Sequence, residues 1–538
     1  MIAVARRTRE RKAMTQQKSE TRVRAQSRGK PAPTHTVEPG AGAKACPVNE
    51  ERKQTSLPFE TAEVPARAGS EVRAVRPRGG TDRDAVPLSK VKRRRAESAT
   101  IEAVTEGLEE AFQQVSRNHG APGPDRQTIG QVRAHWAQIK PALQTSLLEG
   151  SYQPGDIRRV WIPKSGGGQR GLGIPDVVDR VVQEAVRRQL EPLYEPKFHA
   201  SNHGFRPDRS CQTAVAEAAR HLEDGYEWVV DLDLEKFFDR VHRQRLLSRL
   251  AQRVPDRRLL DLISRMLKAN VVLPDGVVVS TTEGLPQGGP LSPLLSNIVL
   301  DELDQELARR GHRFVRYADD CNIYVRSERA GQRVMASIQT FIEKRLRLQV
   351  NAEKSAVARP EERHFLGFRL RREPRDGSVQ VMLSQRSRER LRERIRQLTP
   401  RSWGCSVQSC IEQVNLYLRG WIEFFGICTE DVEGDISAMD AHLRRRLRAI
   451  QLRHWKRKRT IVKKLIGMGI RKTTAWRAIY SGSRSWWALS HLPVVDRALR
   501  NSHWAERGLL SLRALWRSRH PFLVAPVQYT LPWDTSRS

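Results

Sequence analysis

Two acidic pairs stand in stretches that otherwise look like β-strands, where carboxylates are unusual. In RFVRYADDCNIYV (313–325), Asp319 and Asp320 lie between two apolar runs. Adjacent carboxylates repel each other and disfavour a strand, so the pair indicates either a surface turn or a site for divalent metal. The flanking apolar runs predict a hairpin that carries the two aspartates at its tip.

A second acidic pattern favours the metal site. In WVVDLDLEKFFD (228–239), Asp231 and Asp233 alternate with Leu232 and Leu234. A period of two puts both acids on one face of a strand and both leucines on the other. Two strand-borne acidic clusters that converge can hold two Mg²⁺ ions, which prefer hard oxygen ligands. Such a site supports phosphoryl transfer by in-line displacement.

A nucleoside triphosphate would also need cations and a hydrogen-bonding group. Lys164 and Arg170 flank the glycine turn of IPKSGGGQR (162–170), so both can reach inward from one hairpin. Surface charges on a hairpin would give the same pattern. In GLPQGGPLSP (284–293), Gln287 lies on a tight loop whose glycines expose the backbone to a ligand.

The charge balance points to a polyanionic partner. The chain has 538 residues, with 95 Lys and Arg against 61 Asp and Glu, a formal net charge of +34. Nucleic acid is the first candidate and an anionic membrane the second. No window approaches the roughly 18 consecutive apolar residues of a membrane span, and no secretory signal opens the chain. We therefore expect a cytoplasmic protein that binds nucleic acid rather than membrane.

The periodicity predicts an α+β fold after a disordered start. Residues 1–95 have few aromatics and no sustained period, so we expect a disordered basic extension. Apolar stripes predict helices over 101–115, 131–150 and 176–196, and a hairpin is expected over 158–175. Strands and helices then alternate without a steady βαβ rhythm, which is typical of α+β proteins.

From about residue 384 the pattern becomes helical and one-sidedly basic. Between Asp440 and Asp496 there are 15 Lys and Arg and no acidic residue. A solvated helix face normally mixes both signs, so this run favours phosphate binding. Tryptophans interleave with it, either as base-stacking groups or as core residues. They are Trp455, Trp476, Trp486 and Trp487.

Seven motifs, taken in order, resemble those of group II intron-encoded reverse transcriptases. They are IPKSGGGQRGLGIP (162–175), GFRPDRS (204–210), DLEKFFD (233–239), LPQGGPLSPLLSNIVLDELD (285–304), YADD (317–320), LRLQVNAEKS (346–355) and FLGF (365–368). HGAPGPD (119–125) is similar to the N-terminal extension of such enzymes. Further segments resemble the maturase-specific region, namely LRGWIEFFGI (418–427), LRRRLRAIQLRHWKRKRT (443–460) and LIGMGI (465–470).

The resemblance implies a right-hand polymerase fold and four parts of the chain. Beyond the extension of residues 1–95, fingers and a palm with an antiparallel sheet would occupy 96–372. A helical thumb and maturase region would follow over 373–470. Residues 471–538 would form a basic region that is a candidate for binding DNA or RNA.

The resemblance also implies a metal site. Asp233, rather than Asp231, would be the first metal ligand, with Asp319 and Asp320 as the other carboxylates. The backbone carbonyl of Leu234 would complete the site for two Mg²⁺ ions. Asp231 is expected to serve instead in a cap or a salt bridge.

Five residues form the implied nucleotide-binding set. They are Lys164, Arg170, Phe238, Gln287 and Lys354. Lys164 and Arg170 would hold the triphosphate, Gln287 would contact the nucleotide and Lys354 would protonate the pyrophosphate. Phe238 would pack against the sugar and disfavour a 2′-hydroxyl, although core packing beside Phe237 is the alternative. The FLGF segment would form a primer grip.

Seven cations form the implied RNA-binding set. They are Arg444, Arg445, Arg446, Lys456, Arg457, Lys458 and Arg459. Together these parts predict an RNA-directed DNA polymerase that copies intron RNA from a DNA primer with dNTPs and assists splicing as a maturase. An RNA-binding maturase without polymerase activity, or a reverse transcriptase repurposed for defence, would share much of the pattern. The cysteine and histidine spacing of an HNH endonuclease does not follow residue 428, so we expect no cleavage of the second DNA strand.

Overall fold

The computed structural model describes residues 98–163, 167–280, 282–400, 402, 404–429, 432–481 and 485–520. The extension expected to be disordered, 1–95, lies outside the described residues. Lys164, of the nucleotide-binding set, also lies outside them.

The described chain mixes strands and helices up to residue 383 and is helical beyond it. The strands are β1 (Ile157–Pro163), β2 (Gln169–Ile174), β3 (Trp228–Leu232), β4 (Val271–Val272), β5 (Val278–Val279), β6 (Arg313–Tyr317), β7 (Asp320–Val325), β8 (Ala356–Ala358), β9 (Phe368–Arg372) and β10 (Val379–Leu383). The helices are α1 (Ile101–Glu106), α2 (Leu108–Arg117), α3 (Ile129–Ala134), α4 (Trp136–Leu148), α5 (Val177–Tyr194), α6 (Cys211–Glu223), α7 (Phe237–Arg240), α8 (Arg243–Ala251), α9 (Arg257–Lys268), α10 (Ser292–Arg309), α11 (Glu328–Phe341), α12 (Gln385–Leu398), α13 (Val407–Phe425), α14 (Val432–Trp455), α15 (Lys458–Gly467), α16 (Lys472–Tyr480), α17 (Trp486–Leu489), α18 (Pro493–Ala498), α19 (Asn501–Glu506) and α20 (Leu512–Arg519).

The two helices expected at the start of the ordered chain are each divided in two. Gly107 ends α1 and precedes α2, and the N–H of Gly107 still bonds to the carbonyl of Ala103. His135 separates α3 from α4 with a φ of −110°, outside the helical range. Stacking of Phe112 on Trp136, with ring centroids 4.3 Å apart, joins the two pairs of helices. The apolar stripes were therefore correct, and only the local breaks were missed.

Two four-stranded sheets carry the residues of interest. In the first, the strand order is β2-β1-β4-β5, and β1 and β2 form the antiparallel hairpin predicted over 158–175. In the second, the order is β6-β7-β3-β8 and every neighbouring pair is antiparallel. The hairpin predicted over 313–325 is confirmed as β6 and β7. A third, two-stranded sheet joins β9 and β10.

The second sheet separates two hydrophobic cores. Val230 and Leu232 of β3 and Ile323 of β7 face the first core, which contains side chains of α1–α5 and α7–α11. The opposite face contributes Val229 and Tyr324 to the second core, which contains α6 and α12–α20. The sheet is thus covered on both faces, and its polar groups emerge where the strands end.

The packing boundary lies earlier than the expected boundary at residues 372 and 373. The hairpin of β9 and β10 spans that position and buries Phe368 and Leu383 in the second core. The first core ends at Leu348 and the second resumes at Phe365. The hairpin therefore packs with the helical half. Among the described residues, no helix is long and apolar enough to cross a membrane.

The loop before α3 docks on the start of α5 through carboxylates. The N–H of Asp125 donates to Asp176 Oδ1 at 3.1 Å. A Cβ added to Gly123 would lie 2.2 Å from the same oxygen, so the loop approaches closely. Burial, together with the neighbouring carboxylates of Asp125 and Asp179, raises the pKa of Asp176 to about 7. Folding therefore shifts Asp176 toward its protonated form, which predominates below about pH 7.

This raised pKa predicts a pH-dependent weakening of the loop contact. An aspartate whose pKa is raised on folding lowers stability as pH rises from its unfolded value, about 4, through its folded value near 7. Asp176→Asn should therefore raise the melting temperature at pH 8 and raise it much less at pH 5. Thermal unfolding at the two pH values measures this. Asp261→Asn, at an exposed position of α9, is the control, and an equal shift in both variants would contradict the expectation.

Candidate active site

The tip of the β6–β7 hairpin is a two-residue turn. Tyr317 pairs with Asp320 as the last pair of the ladder, which leaves Ala318 and Asp319 to form the loop. Ala318 has a φ of +56°, in the left-handed region. A residue with a side chain adopts this region at a cost of roughly 1–2 kcal/mol. The turn points the two aspartates out of the end of the sheet.

The register of β3 against β7 brings the two acidic patterns together. Leu232 lies opposite Cys321, so the next position along each strand sets Asp233 opposite Asp320. Residues in that relation have Cβ atoms roughly 4.5–5.5 Å apart. Alternation also places Asp231 and Asp233 on the sheet face that Asp320 occupies, as predicted from the period of two.

The carboxylates affect one another electrostatically. Burial and the charges of Asp319, Asp231 and Asp233 raise the pKa of Asp320 to about 7. Asp320 is solvent-exposed, yet the protein around the end of the sheet displaces part of the water that would hydrate its carboxylate. Burial also raises the pKa of Asp319, and Asp233 adds to the rise. Arg170 lowers the pKa of Asp319 and of Asp320, so this cation belongs to the same electrostatic cluster.

Asp233 is fixed through its backbone and partly neutralised by a lysine. Its N–H donates to Ser355 Oγ at 3.0 Å, and its carbonyl accepts from the N–H of Asn351 at 2.8 Å. Its Oδ2 is buried and, among the described residues, has no hydrogen-bond partner. The ammonium of Lys354 nevertheless faces that oxygen at 3.2 Å, in an ion pair of poor hydrogen-bond direction. Lys354 thus lies beside the acidic cluster, and its role at the pyrophosphate stays a prediction.

The carbonyl of Leu234 points toward the acidic hairpin. On one side of the strand, the carbonyl of Asp233 and the N–H of Glu235 bond to Asn351 and Gln349. Because alternate residues of a strand bond to opposite sides, the carbonyl of Leu234 is directed to the other side, where β7 lies. The side chain of Leu234 is buried in the first core. The predicted backbone ligand therefore has a suitable direction.

The donor set fits a divalent cation, although the side chains do not form a ready-made cage. Within the described part of the chain, no three His, Cys, Asp or Glu side chains converge closely enough to hold a metal ion. The buried Oδ2 of Asp233 accepts no hydrogen bond, and the raised pKa values of Asp319 and Asp320 show that the nearby cations only partly offset the negative charge of the cluster. Hard oxygen ligands of this kind suit Mg²⁺. The assignment of metal ligands stays a prediction.

Asp231 has the structural role expected of it. Its Oδ2 accepts from Nε of Arg363 at 2.8 Å, and Nη2 of Arg363 lies 2.7 Å away. Arg363 follows β8, so this salt bridge draws the carboxylate of Asp231 toward β8 and away from the hairpin tip. Asp231 therefore contributes its charge to the cluster while remaining tied to the segment after β8.

Phe238 and Gln287 belong to two segments that dock on each other. The N–H of Leu285 donates to the carbonyl of Phe238 at 2.6 Å. The ring of Phe237 is buried in the first core, whereas Phe238 is half-buried and meets that ring edge-on at 5.2 Å. Only one of the two phenylalanines therefore fills the core, and Phe238 keeps a partly open face.

The loop that carries Gln287 also packs on β2. The carbonyl of Gln287 accepts from the N–H of Gly173 at 2.6 Å. Gly288 has a φ of +116°, and a Cβ there would lie 2.3 Å from the carbonyl oxygen of Gly173. This loop therefore links the hairpin of Arg170 to the turn of Phe238.

The residues that the sequence reasoning missed lie under the hairpin tip. Arg316 of β6 is completely buried and pairs with the equally buried Asp304 of α10. Its Nη1 donates to the carbonyl of Ala318 at 2.8 Å and to Asn297 Oδ1 at 3.1 Å. A signal was present, because Arg316 shares the strand parity of Phe314, which faces the first core. A charged residue at an inward position needs a buried partner.

The FLGF segment is a tight turn whose aromatic side chains lie in the core. Phe365 and Phe368 exchange both backbone hydrogen bonds across Leu366 and Gly367, which have φ values of +51° and +97°. Phe368 packs against Phe425 at 5.2 Å between ring centroids. If this segment grips a primer, the backbone of the turn would make the contact.

The predicted RNA-binding cations separate into buried and exposed groups. Arg446 is 9% exposed, and its guanidinium donates to Thr399 and to the carbonyl of Arg396 at the end of α12. Arg446 thus braces two helices, and helix packing leaves little of its side chain accessible to RNA. Lys456, Arg457 and Arg459 are exposed.

The remaining members of the set are associated with aromatic rings or only half-exposed. The guanidinium of Arg445 lies 3.9 Å from the ring centroid of Trp487. The ammonium of Lys458 lies 5.4 Å from the ring centroid of Tyr480. The Tyr480 ring stacks on Trp476, with the two ring centroids 4.8 Å apart. Arg444 is half-exposed on α14.

The four tryptophans likewise differ in exposure. Trp476 and its partner Tyr480 are 37% and 42% exposed on α16. Trp455 and Trp486 are half-buried and pack against the second core. Trp476 is therefore the tryptophan whose exposure suits base stacking.

Comparison with known proteins agrees with this arrangement. Residues 162–370 match the family model described as reverse transcriptase (RNA-dependent DNA polymerase), and residues 388–466 match the group II intron maturase-specific domain. The chain is 34% identical over 340 residues to protein YkfC of Escherichia coli (strain K12), covering 55% of this chain and 89% of YkfC. It is 31% identical over 300 residues to group II intron-encoded protein LtrA of Lactococcus lactis subsp. cremoris, covering 44% of this chain and 50% of LtrA.

The fold and the matched domains define a reverse transcriptase with a mixed α/β polymerase region and a helical region after it. More particularly, the chain belongs to the family of group II intron-encoded reverse transcriptases and maturases. It spans about nine tenths of YkfC but only half of LtrA. Among solved structures, the partial Cas6-RT-Cas1--Cas2 complex is 22% identical with a TM-score of 0.30, covering 49% of this chain and 45% of that one, a likeness too low to support an argument.

The packing of the Gln287 loop gives a direct test of its importance. Gly288→Ala should disrupt the loop, because its Cβ would meet the carbonyl of Gly173 and its φ is positive. We expect kcat/KM for dNTP incorporation to fall by about tenfold, equivalent to ~1.4 kcal/mol of transition-state stabilisation. Steady-state primer extension measures it. Gly276→Ala is the matched control, since its φ is +87° and a Cβ there meets nothing within 4 Å. Equal losses in both variants would trace the effect to backbone strain alone.

Proposed function

We propose that this chain is an RNA-directed DNA polymerase that copies a group II intron RNA into DNA and, through its helical half, binds that RNA as a maturase. The observation that carries the polymerase activity is the register of β3 against β7. That register sets Asp233 opposite Asp320 at the end of one sheet, with Asp319 next to them. Arg170 and Lys354 supply positive charge to the same cluster.

The proposed metal ligands are the carboxylates of Asp233, Asp319 and Asp320 and the carbonyl of Leu234. Reverse transcriptases use divalent metal ions, and we propose two Mg²⁺ ions here. When bound, they would activate the primer 3′-hydroxyl and stabilise the leaving pyrophosphate. The chain itself mainly positions charge, as phosphoryl transfer requires.

The nucleotide would lie between the hairpin of β1 and β2 and the turn of Phe238. Arg170, with Lys164 from the same hairpin, would hold the triphosphate. Gln287 would hydrogen-bond the nucleotide, and the partly open face of Phe238 would contact the sugar. Lys354, whose Nζ lies 3.2 Å from Asp233 Oδ2, would protonate the pyrophosphate.

The helical half would bind intron RNA through an exposed basic surface. We define this surface by Arg444, Lys456, Arg457 and Arg459, which are solvent-accessible. Beside it, Lys458 approaches Tyr480, and the stacked Trp476 and Tyr480 offer an aromatic face to unpaired bases. Charge would supply most of the affinity, because phosphate contacts dominate nucleic-acid binding.

Removal of the central carboxylates tests the polymerase activity. Asp233→Ala or Asp319→Ala should reduce primer extension on an RNA template with Mg²⁺ to background, because the metal ligands are lost. Binding of a group II intron RNA should change little, since the basic surface lies on α14, α15 and the link between them, away from the β6–β7 hairpin in sequence. Primer extension and filter binding measure the two properties.

A neighbouring acid provides the control for that experiment. Asp231→Asn keeps an oxygen that can accept from Arg363, so it should retain most of the activity. A wild-type chain that binds RNA but incorporates no dNTP would identify a maturase without polymerase activity. Loss of RNA binding in both alanine variants would show that the aspartates support the fold instead.

The salt dependence of RNA binding tests the basic surface. Replacing Arg444, Lys456, Arg457 and Arg459 together with Gln should weaken binding. The slope of log K against log salt should become shallower by about 0.7–0.9 for each phosphate that the protein no longer neutralises. Binding to a group II intron RNA over a range of KCl concentrations measures the slope.

The control removes the same number of charges from exposed positions of the polymerase half. Its four Gln substitutions are at Arg117, Lys268, Arg329 and Arg333. An identical slope for the two quadruple variants would place the RNA on another surface.

A further inference from the structure

We propose that Arg316 is a positioning residue for polymerisation, which holds the catalytic hairpin in its strained conformation through a buried ion pair with Asp304. This inference rests on the proposed polymerase function. In the described part of the chain, the guanidinium of Arg316 makes no hydrogen bond or ion pair with Asp233, Asp319 or Asp320, although its charge also stabilises the carboxylate of Asp319. Its direct contact is with the backbone carbonyl of Ala318, the residue immediately before Asp319.

The contacts of Arg316 converge on the turn. Its Nε donates to Asp304 Oδ1 at 2.7 Å, and both side chains are fully buried. Its Nη1 donates to the carbonyl of Ala318 at 2.8 Å. The same nitrogen donates to Asn297 Oδ1 at 3.1 Å. Two side chains of α10 thus orient the guanidinium, and the guanidinium in turn holds the carbonyl of the turn.

A second set of contacts grips the turn from the other side. Asn297 Nδ2 donates to the carbonyl of Gly204 at 2.7 Å. A Cβ at Gly204 would lie 2.2 Å from the backbone nitrogen of Ala318, so this segment lies directly against the turn. The backbone of Arg316 also bonds to Ser201 and His203, at 2.9 and 2.8 Å. The turn is therefore enclosed between α10 and residues 201–204.

Stability alone does not account for a charged pair at this position. Well-packed apolar residues often replace a buried ion pair with no loss of stability, because burying two charges has a large desolvation cost. An apolar side chain, however, could not donate to the carbonyl of Ala318. That carbonyl belongs to a residue with a φ of +56°, which tends to relax unless its surroundings restrain it. Asp304 therefore compensates the buried charge of Arg316, and this allows the guanidinium to donate to the carbonyl of Ala318.

Relaxation of Ala318 would move Asp319 and Asp320 relative to Asp233. Catalytic groups must hold their geometry within roughly 0.5 Å. The expected consequence is slower chemistry and weaker use of Mg²⁺, while RNA binding by the helical half stays the same. These effects distinguish a positioning residue from one that only stabilises the fold.

The decisive variant removes the donor without leaving a buried charge unpaired. In Arg316→Met/Asp304→Leu, both charges are replaced by apolar groups, so folding should survive. We expect kcat for dTTP incorporation on poly(rA)/oligo(dT) to fall by about 10- to 100-fold, the range that follows a small misplacement of reacting groups. The Mg²⁺ midpoint should rise several-fold, whereas the melting temperature and the Kd for a group II intron RNA should stay near wild type.

A third substitution tests the mechanism by rescue. Glycine adopts a positive φ without steric cost, so Ala318→Gly lets the turn reach its conformation without the guanidinium. Added to the double variant, it should recover a substantial part of the kcat and lower the Mg²⁺ midpoint. The matched control is Arg187→Met/Glu184→Leu, which removes an ion pair of α5 with the same two types of substitution and should match wild type.

Three outcomes would overturn the inference. The first is a double variant with wild-type kcat and Mg²⁺ dependence. The second is a loss of RNA binding or of thermal stability that parallels the loss of synthesis, which would make the pair merely structural. The third is an absence of rescue by Ala318→Gly. Failure of the proposed function itself is distinguishable, because the wild-type chain would then show no primer extension.

Discussion

The pairing of β3 with β7 is the constraint on which the polymerase half depends. It brings three carboxylates to the end of one sheet, where their mutual repulsion and the loss of water raise the pKa values of Asp319 and Asp320. Such an arrangement is unfavourable unless positive charge is supplied. Part of it comes from Lys354 beside Asp233 and from Arg170. A site that concentrates negative charge in this way attracts divalent cations and basic side chains.

The same sheet also connects the two halves of the described chain. One face lies on the first core and the other on the second, so the acidic ends of the strands lie where the two cores meet. Helix α6 packs on the second face, and Gln212 Nε2 donates to the carbonyl of Phe424 in α13 at 3.3 Å. The helical half and the sheet that carries the acidic cluster are therefore joined by packed side chains and by this hydrogen bond.

Local patterns predicted most of the polymerase half. The hairpins of β1–β2 and β6–β7 and the alternation of Asp231 and Asp233 follow from periodicity over a few residues, and the structure has them. The register that joins Asp233 to Asp320 is a long-range pairing, which periodicity does not determine; only the family resemblance indicated it. The helix breaks at Gly107 and His135 were missed because the apolar stripes continue across both positions. Arg316 was missed because its partner, Asp304, is adjacent only in the fold.

The basic helical half shows why a count of charges overstates a nucleic-acid surface. Arg446 and Arg448 are both about nine-tenths buried on α14, and Arg448 pairs with Asp496, the first acid after the basic run. Burial and the neighbouring Arg444 and Arg445 lower the pKa of Arg448 to about 10, because both disfavour its charged form. Such residues fasten helices and are not accessible to phosphate. The exposed cations of the run extend from Arg453 to Arg477, and those of α16 adjoin an exposed aromatic pair. Burial, and not the number of cations, therefore decides where the RNA can bind.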